Sequence, residues 1–149
     1  KARLNVIFLI VGSGPDYEKL ETEIRNSKLE SGVIMAAAAP NTEIPYYFAA
    51  ADLFFMPSEE EGFPHVLLEA MASGVPYVAS GVGGVREITP PELQEYIIPG
   101  NNIDLFSQKI VQLLDMDHPK RDELVRVMQE WVKKYDSKEV LPMFHQLFS

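Results

Sequence analysis

No cysteine occurs anywhere in the chain. Disulfides, thiolate nucleophiles and cysteine-ligated zinc are therefore excluded. Histidine is scarce as well: His65, His118 and His145 are the only three, and they show no metal-ligand spacing, so no metal is expected. Positive charge is in short supply. The 13 Lys and Arg residues stand against 22 Asp and Glu, a net charge of −9, which argues against a nucleic-acid surface. No apolar run is long enough to span a membrane, and no signal-peptide pattern precedes the first apolar segment. A cytoplasmic protein is the expectation. No repeat or low-complexity segment is visible.

What is present is ordinary for a globular domain. The 149 residues suffice for one sizeable core, and the 46% hydrophobic and 23% charged content is typical of soluble proteins. Residues 4–11 (LNVIFLIV) form a continuous apolar run, as in a strand buried on both faces of a parallel sheet. Gly12-Ser13-Gly14-Pro15 breaks it, and a helix follows with Leu20, Ile24 and Leu29 on one face. The third glycine of a dinucleotide fingerprint is replaced by Tyr17, so Gly12 and Gly14 read first as a tight turn.

Residues 33–39 (VIMAAAA) predict the second strand, and Pro40-Asn41-Thr42-Glu43 predicts a turn and helix start. A short helix over 44–51 would pack Tyr46, Tyr47 and Phe48 into a core rather than offer a stacking platform. Strands follow at 52–56, 77–80 and 95–98. Helices are expected at 104–116, at 120–135 after a break at His118-Pro119, and at 137–148, with Pro142 in its first turns. Leu105, Ile110, Leu113 and Leu114 would be the buried face of the first, and Leu124, Val127, Met128 and Trp131 that of the second. Five strands alternating with helices predict a doubly wound parallel α/β domain, Rossmann-like. Ligands in such sheets bind beyond the carboxyl ends of the strands. The turns at Gly12, Ala39, Glu61 and Gly83 all follow strand ends and should converge there.

Residues 57–76 organise the chain. They read as a strand end, a loop, a helix carrying Val66, Leu67, Ala70 and Met71 inward, and a stop at Gly74 and Pro76. Pro64 suits the first turn of that helix. The helix N-terminus offers amides of His65 and Val66 to an anion such as phosphate. Glu61 in the loop and Glu69 on the helix would suit the hydroxyl pairs of a sugar and a ribose. The same residues also read as a solvated acidic loop and an exposed helix position. Gly83 and Gly84 allow close backbone approach, and Glu87 reads as a residue that secures that turn.

The run Glu61-Gly62-Phe63-Pro64-His65-Val66-Leu67-Leu68-Glu69-Ala70-Met71-Ala72 resembles the E-x7-E signature of retaining, nucleotide-sugar-dependent glycosyltransferases of family four, which have the GT-B fold. The preceding Ala49-Ala50-Ala51-Asp52 through Pro57-Ser58 is similar to their "AAD…PS" strand, and Gly83-Gly84-Val85-Arg86-Glu87 to their "GGxxE" turn. The resemblance covers nearly the whole chain. It implies the C-terminal, donor-binding half of such an enzyme over residues 1–149, lacking its first strand and the N-terminal acceptor domain. Transfer would go from a nucleotide-diphosphate sugar to an acceptor hydroxyl with retention and without a metal or other cofactor.

On this resemblance Glu61 contacts the donor sugar and Glu69 binds the ribose. The amides of Gly62, Phe63, His65 and Val66 steady sugar and phosphate. Gly12, Gly83 and Gly84 line the cleft, and Ala38, Ala39 and Pro40 line the nucleotide base. The acceptor, a glycan or a lipid, would be held by the missing domain, as would any contact with the inner membrane face. Pro64 and His65 replace the glycine and leucine most typical of the motif. The family's arginine and lysine pair has no counterpart, since the chain begins at Lys1-Ala2-Arg3, one strand too late. The isolated chain should therefore be inactive. Its last helix should leave Phe144, Leu147 and Phe148 as an unpartnered apolar patch. A non-catalytic nucleotide- or sugar-binding module with the same fold is the alternative. A nicotinamide-dependent oxidoreductase is disfavoured by the incomplete glycine pattern.

Overall fold

The computed structural model describes residues 6–100 and 102–135. The expected helix at 137–148, with Pro142, Phe144, Leu147 and Phe148, lies outside these residues, as do Lys1 and Arg3. The chain divides into two compact units between Ile44 and Pro45.

In the first unit, β1 (Phe8–Val11) pairs in parallel with β2 (Val33–Ala36), Phe8 opposite Val33 and Val11 opposite Ala36. The crossover contains α1 (Tyr17–Asn26). The strand–helix–strand order is as expected, but the burial is not. Ile7, Phe8 and Leu9 are more than two-fifths exposed, and α1 buries none of its residues. Ile24 is half-buried, and Leu29 lies beyond the helix and is exposed. Two strands and one helix are too few to cover both faces of a sheet.

The second unit holds the core. α2 (Ile44–Ala49) leads into it, and Phe48 is the buried member of its aromatic trio, set edge-on to Phe54 with centroids 5.4 Å apart. Tyr46 is three-quarters exposed. β3 (Phe54–Met56), β4 (Tyr77–Ser80) and β5 (Ile97–Ile98) form a parallel sheet in that order. The central strand β4 is buried at all four positions, as a strand covered on both faces must be. The expected five parallel strands are thus present, hydrogen-bonded as a pair and a trio.

α3 (His65–Ala72) follows β3 and sinks Leu67, Ala70 and Met71 into the core. Pro64 is its N-cap rather than its first helical residue. Gly74 ends it at φ +72°, where its N–H bonds the Met71 carbonyl and that of Val75 bonds the Ala70 carbonyl. This is the paired closure that a left-handed residue makes possible. α4 (Val85–Ile88) follows β4, and a 3-10 turn (Pro91–Tyr96) takes up Glu95 and Tyr96, the first half of the segment expected as the last strand. α5 (Ile103–Leu114) is capped by the Asn102 side chain and buries Phe106 and Leu113, whereas Leu105, Ile110 and Leu114 are half-buried.

α6 (His118–Val132) begins where a break was expected. Asp117 accepts a hydrogen bond from the Lys120 amide at 3.0 Å, and Pro119 occupies the first turn, where no amide hydrogen is needed. Leu124 and Met128 are buried; Trp131 packs against the core and donates its indole N–H to the Ile88 carbonyl at 2.8 Å.

Candidate functional site

Residues 59–62 follow β3, and the turn at 81–84 follows the neighbouring parallel strand β4. Parallel pairing therefore sets both at one sheet edge. Together they line an open depression of about 520 Å³, formed by Glu59, Glu60, Glu61, Gly62, Val82 and Gly83. None of these is basic. A surface of carboxylates and carbonyls accepts hydrogen bonds, so it suits a polyhydroxyl group better than a phosphate.

Glu61 is half-buried, and its Oε1 accepts a hydrogen bond from the Ser58 hydroxyl at 2.9 Å. The main chain beside it is seated against the glycine turn. Gly84 donates its amide to the Gly62 carbonyl at 3.1 Å. Gly83 adopts φ +51°, and a Cβ there would fall 1.6 Å from the Glu61 carbonyl oxygen. Close approach was expected of Gly83 and Gly84; the group that approaches is the Glu61 loop.

At the start of α3 the His65 amide is already engaged, donating to the Phe63 carbonyl at 2.9 Å. The amides of Gly62, Phe63 and Val66 make no hydrogen bond among the described residues. Phe63 is 48% exposed, with its ring edge-on to His65 at 5.0 Å and to Tyr135 at 6.3 Å. Glu69 is exposed, one turn after His65 and on the side of α3 away from Leu67, Ala70 and Met71. Its carboxylate has no partner among the described residues, and it does not line the depression around Glu61.

The remaining candidates belong to the first unit. Gly12 ends β1 and donates its amide to the Ala36 carbonyl at 3.2 Å. Ala38, Ala39 and Pro40 follow β2, Ala39 half-buried and its two neighbours exposed. Because β1 and β2 are parallel, these two turns also share an edge. Among the described residues, no cluster of His, Asp or Glu could hold a metal ion.

The glycine turn is fixed by residues that the sequence did not single out. Arg86 donates from Nη2 to the Ile97 carbonyl at 3.1 Å, and Gln94 Nε2 donates to the Arg86 carbonyl at 2.8 Å. The Tyr77 hydroxyl donates to Thr89 Oγ1, and Thr89 donates in turn to the Val85 carbonyl. Burial pushes the Tyr77 hydroxyl well above the usual tyrosine range. Tyr135, raised by partial burial and by nearby Glu87, donates to the Glu87 carbonyl at 3.4 Å. The Glu87 carboxylate, expected to secure this turn, makes no hydrogen bond among the described residues; Arg86 does the latching. Only spacing to the distant Gln94 and Ile97 could have revealed this, and no local pattern encodes it.

Residues 1–131 match the glycosyl transferases group 1 family. The chain is 34% identical over 129 residues to 2-deoxystreptamine glucosyltransferase of Streptomyces kanamyceticus, covering 84% of this chain and 32% of that protein. It is 29% identical over 131 residues to the GDP-mannose-dependent alpha-(1-6)-phosphatidylinositol monomannoside mannosyltransferase of Mycobacterium tuberculosis, covering 83% of this chain and 34% of the relative. The solved sucrose-phosphate synthase of Thermosynechococcus elongatus superposes with a TM-score of 0.81 at 26% identity, over 94% of this chain and 37% of that one. The chain spans about a third of the length of the curated relatives it matches. With parallel strands, crossover helices and the loop-and-glycine edge already in place, the match over residues 1–131 assigns the protein: it belongs to the glycosyl transferases group 1 family, as the C-terminal half of a GT-B fold.

Proposed function

We propose that this chain is the donor-binding part of an enzyme that moves a hexose from a nucleotide diphosphate to an acceptor hydroxyl, with retention at the anomeric carbon. The bond from that carbon to the diphosphate oxygen breaks, and the acceptor oxygen forms the new bond. The acceptor proton leaves with the diphosphate. The observation that carries this reading is the acidic, hydroxyl-accepting depression at the strand ends, with the Glu61 carboxylate held on its wall.

Glu61 contacts the donor sugar, and Glu69 takes the ribose hydroxyls from the outer face of α3. The unengaged amides of Gly62, Phe63 and Val66 offset the charge that develops on the departing phosphate. His65 would join them by releasing the Phe63 carbonyl. Gly83 and Gly84 stand behind the sugar. No metal or cofactor takes part. Cations for the diphosphate, the acceptor site for a glycan or lipid, and any peripheral membrane contact come from sequence beyond this chain, in a cytoplasmic protein. The non-catalytic alternative predicts binding without turnover.

The test is a panel of UDP, GDP, UDP-glucose and GDP-mannose titrated against the full-length protein, followed by NMR of the anomeric configuration of the product. Retained configuration supports the reading. An inverted product, or sugar binding without any transfer across a panel of acceptors, defeats it. The 149-residue chain alone should bind without turnover.

A further inference from the structure

The Glu61 loop is held from two directions. Its main chain is pinned by the glycine turn, through the Gly84 amide on the Gly62 carbonyl and the close seat of Gly83. Its side chain is held by Ser58, whose hydroxyl donates to Oε1 at 2.9 Å. A glutamate has several rotatable bonds, and fixing them costs free energy at the moment of binding unless the fold has already done so. Ser58 is half-buried, not at the tip of the loop, and it engages one carboxylate oxygen only. Oε2 makes no hydrogen bond among the described residues.

We propose that Ser58 is a positioning residue for the donor sugar: it holds the Glu61 carboxylate so that Oε2 is open to the sugar hydroxyls. The inference rests on the reading of Glu61 as the sugar contact. The competing explanation is a local serine-to-glutamate bond, three residues apart, that merely tidies the loop. The two differ in what depends on the hydroxyl. A tidy loop matters to stability alone. A positioning residue matters to the sugar-dependent part of donor affinity.

Two measurements separate them. The first needs no ligand: the side-chain carboxyl carbon shift of Glu61 by NMR, in the wild-type chain, Ser58→Ala and Ser58→Thr. It should move in the alanine variant and stay in the threonine variant, which keeps the hydroxyl. The second compares UDP with UDP-glucose, and GDP with GDP-mannose, in the full-length protein. Ser58→Ala should lose about tenfold of the affinity that the sugar adds, as expected for one hydrogen bond to a charged group. The loss should be absent with the bare diphosphates and recovered in Ser58→Thr. An unmoved Glu61 shift, or equal sugar increments in wild type and Ser58→Ala, overturns the role of Ser58 alone. If the wild type shows no sugar increment with either pair, the donor reading itself falls and takes this inference with it.

Discussion

Gly83 lies so close to Glu61 that a methyl group on its α-carbon would sit 1.6 Å from the Glu61 carbonyl oxygen. Its φ of +51° adds a second constraint, since side chains with a Cβ avoid that region. The turn after β4 and the loop after β3 thus form one piece of structure. Gly83→Ala should displace residues 59–62 and cost about 1–3 kcal/mol of stability. Gly62, where a Cβ would meet nothing within 4 Å, is the control, and Gly62→Ala should stay within about 0.5 kcal/mol of wild type. Urea unfolding and the amide shifts of residues 59–62 report both. Unchanged stability and shifts in Gly83→Ala would show that the close seat does not exist in solution.

Glu61 and Glu69 should behave differently on neutralisation. Glu69→Gln weakens two charge-assisted bonds to the ribose and should cost about 1.5–3 kcal/mol of nucleotide affinity, whichever sugar is attached. Glu61→Gln should spare the bare nucleoside diphosphate and reduce the affinity added by the sugar. Calorimetry with GDP and GDP-mannose, or UDP and UDP-glucose, distinguishes them. Equal losses for the bare diphosphate would defeat this division of labour.

Alkaline stability should depend on Tyr77. Burial raises its folded pKa above the ordinary value of about 10. Below pH 10 both folded and unfolded chains keep the proton. Above it the unfolded chain ionises first, so stability falls with rising pH, by up to about 1.4 kcal/mol per pH unit for this group. Tyr77→Phe should be less stable at neutral pH by about 1 kcal/mol, having lost the bond to Thr89, yet show a shallower decline above pH 10. Chemical unfolding at a series of pH values measures both, and parallel curves for the two proteins would refute the assignment.

Trp131 should matter through its nitrogen as well as its bulk. Trp131→Phe removes the donor to the Ile88 carbonyl and should cost about 1 kcal/mol beyond the packing lost. Because Ile88 ends the helix that follows the glycine turn, amide shifts at 83–88 should move with it. Changes confined to α6 would argue against that link.

The sequence carried those features that depend on neighbours in the chain. The apolar period of Leu67, Ala70 and Met71 and the stop at Gly74 gave α3 nearly to the residue. Pro119 was misread because proline is compatible with both the break and the start of a helix; the Asp117 cap decides between them. The 3-10 turn over Pro91–Tyr96 has no strong periodicity, and its Glu95 and Tyr96 looked like strand. Within the site, the placement of Glu61 beyond β3 was legible from the loop chemistry and the family resemblance. The Ser58 bond, the Gly83 seat and the Arg86 latch were not. They join residues by three-dimensional proximity, which local spacing does not encode.

The acidic wall of the depression has a kinetic consequence. A nucleotide diphosphate arriving at Glu59, Glu60 and Glu61 on a chain of net charge −9 meets repulsion. Charges several ångströms apart at a surface are screened by salt, with a Debye length of about 10 Å at 0.1 M. The association rate of an anionic donor with this chain should therefore rise with ionic strength, the reverse of a site that draws phosphate in with its own cations. A neutral sugar should arrive at the same rate in either medium.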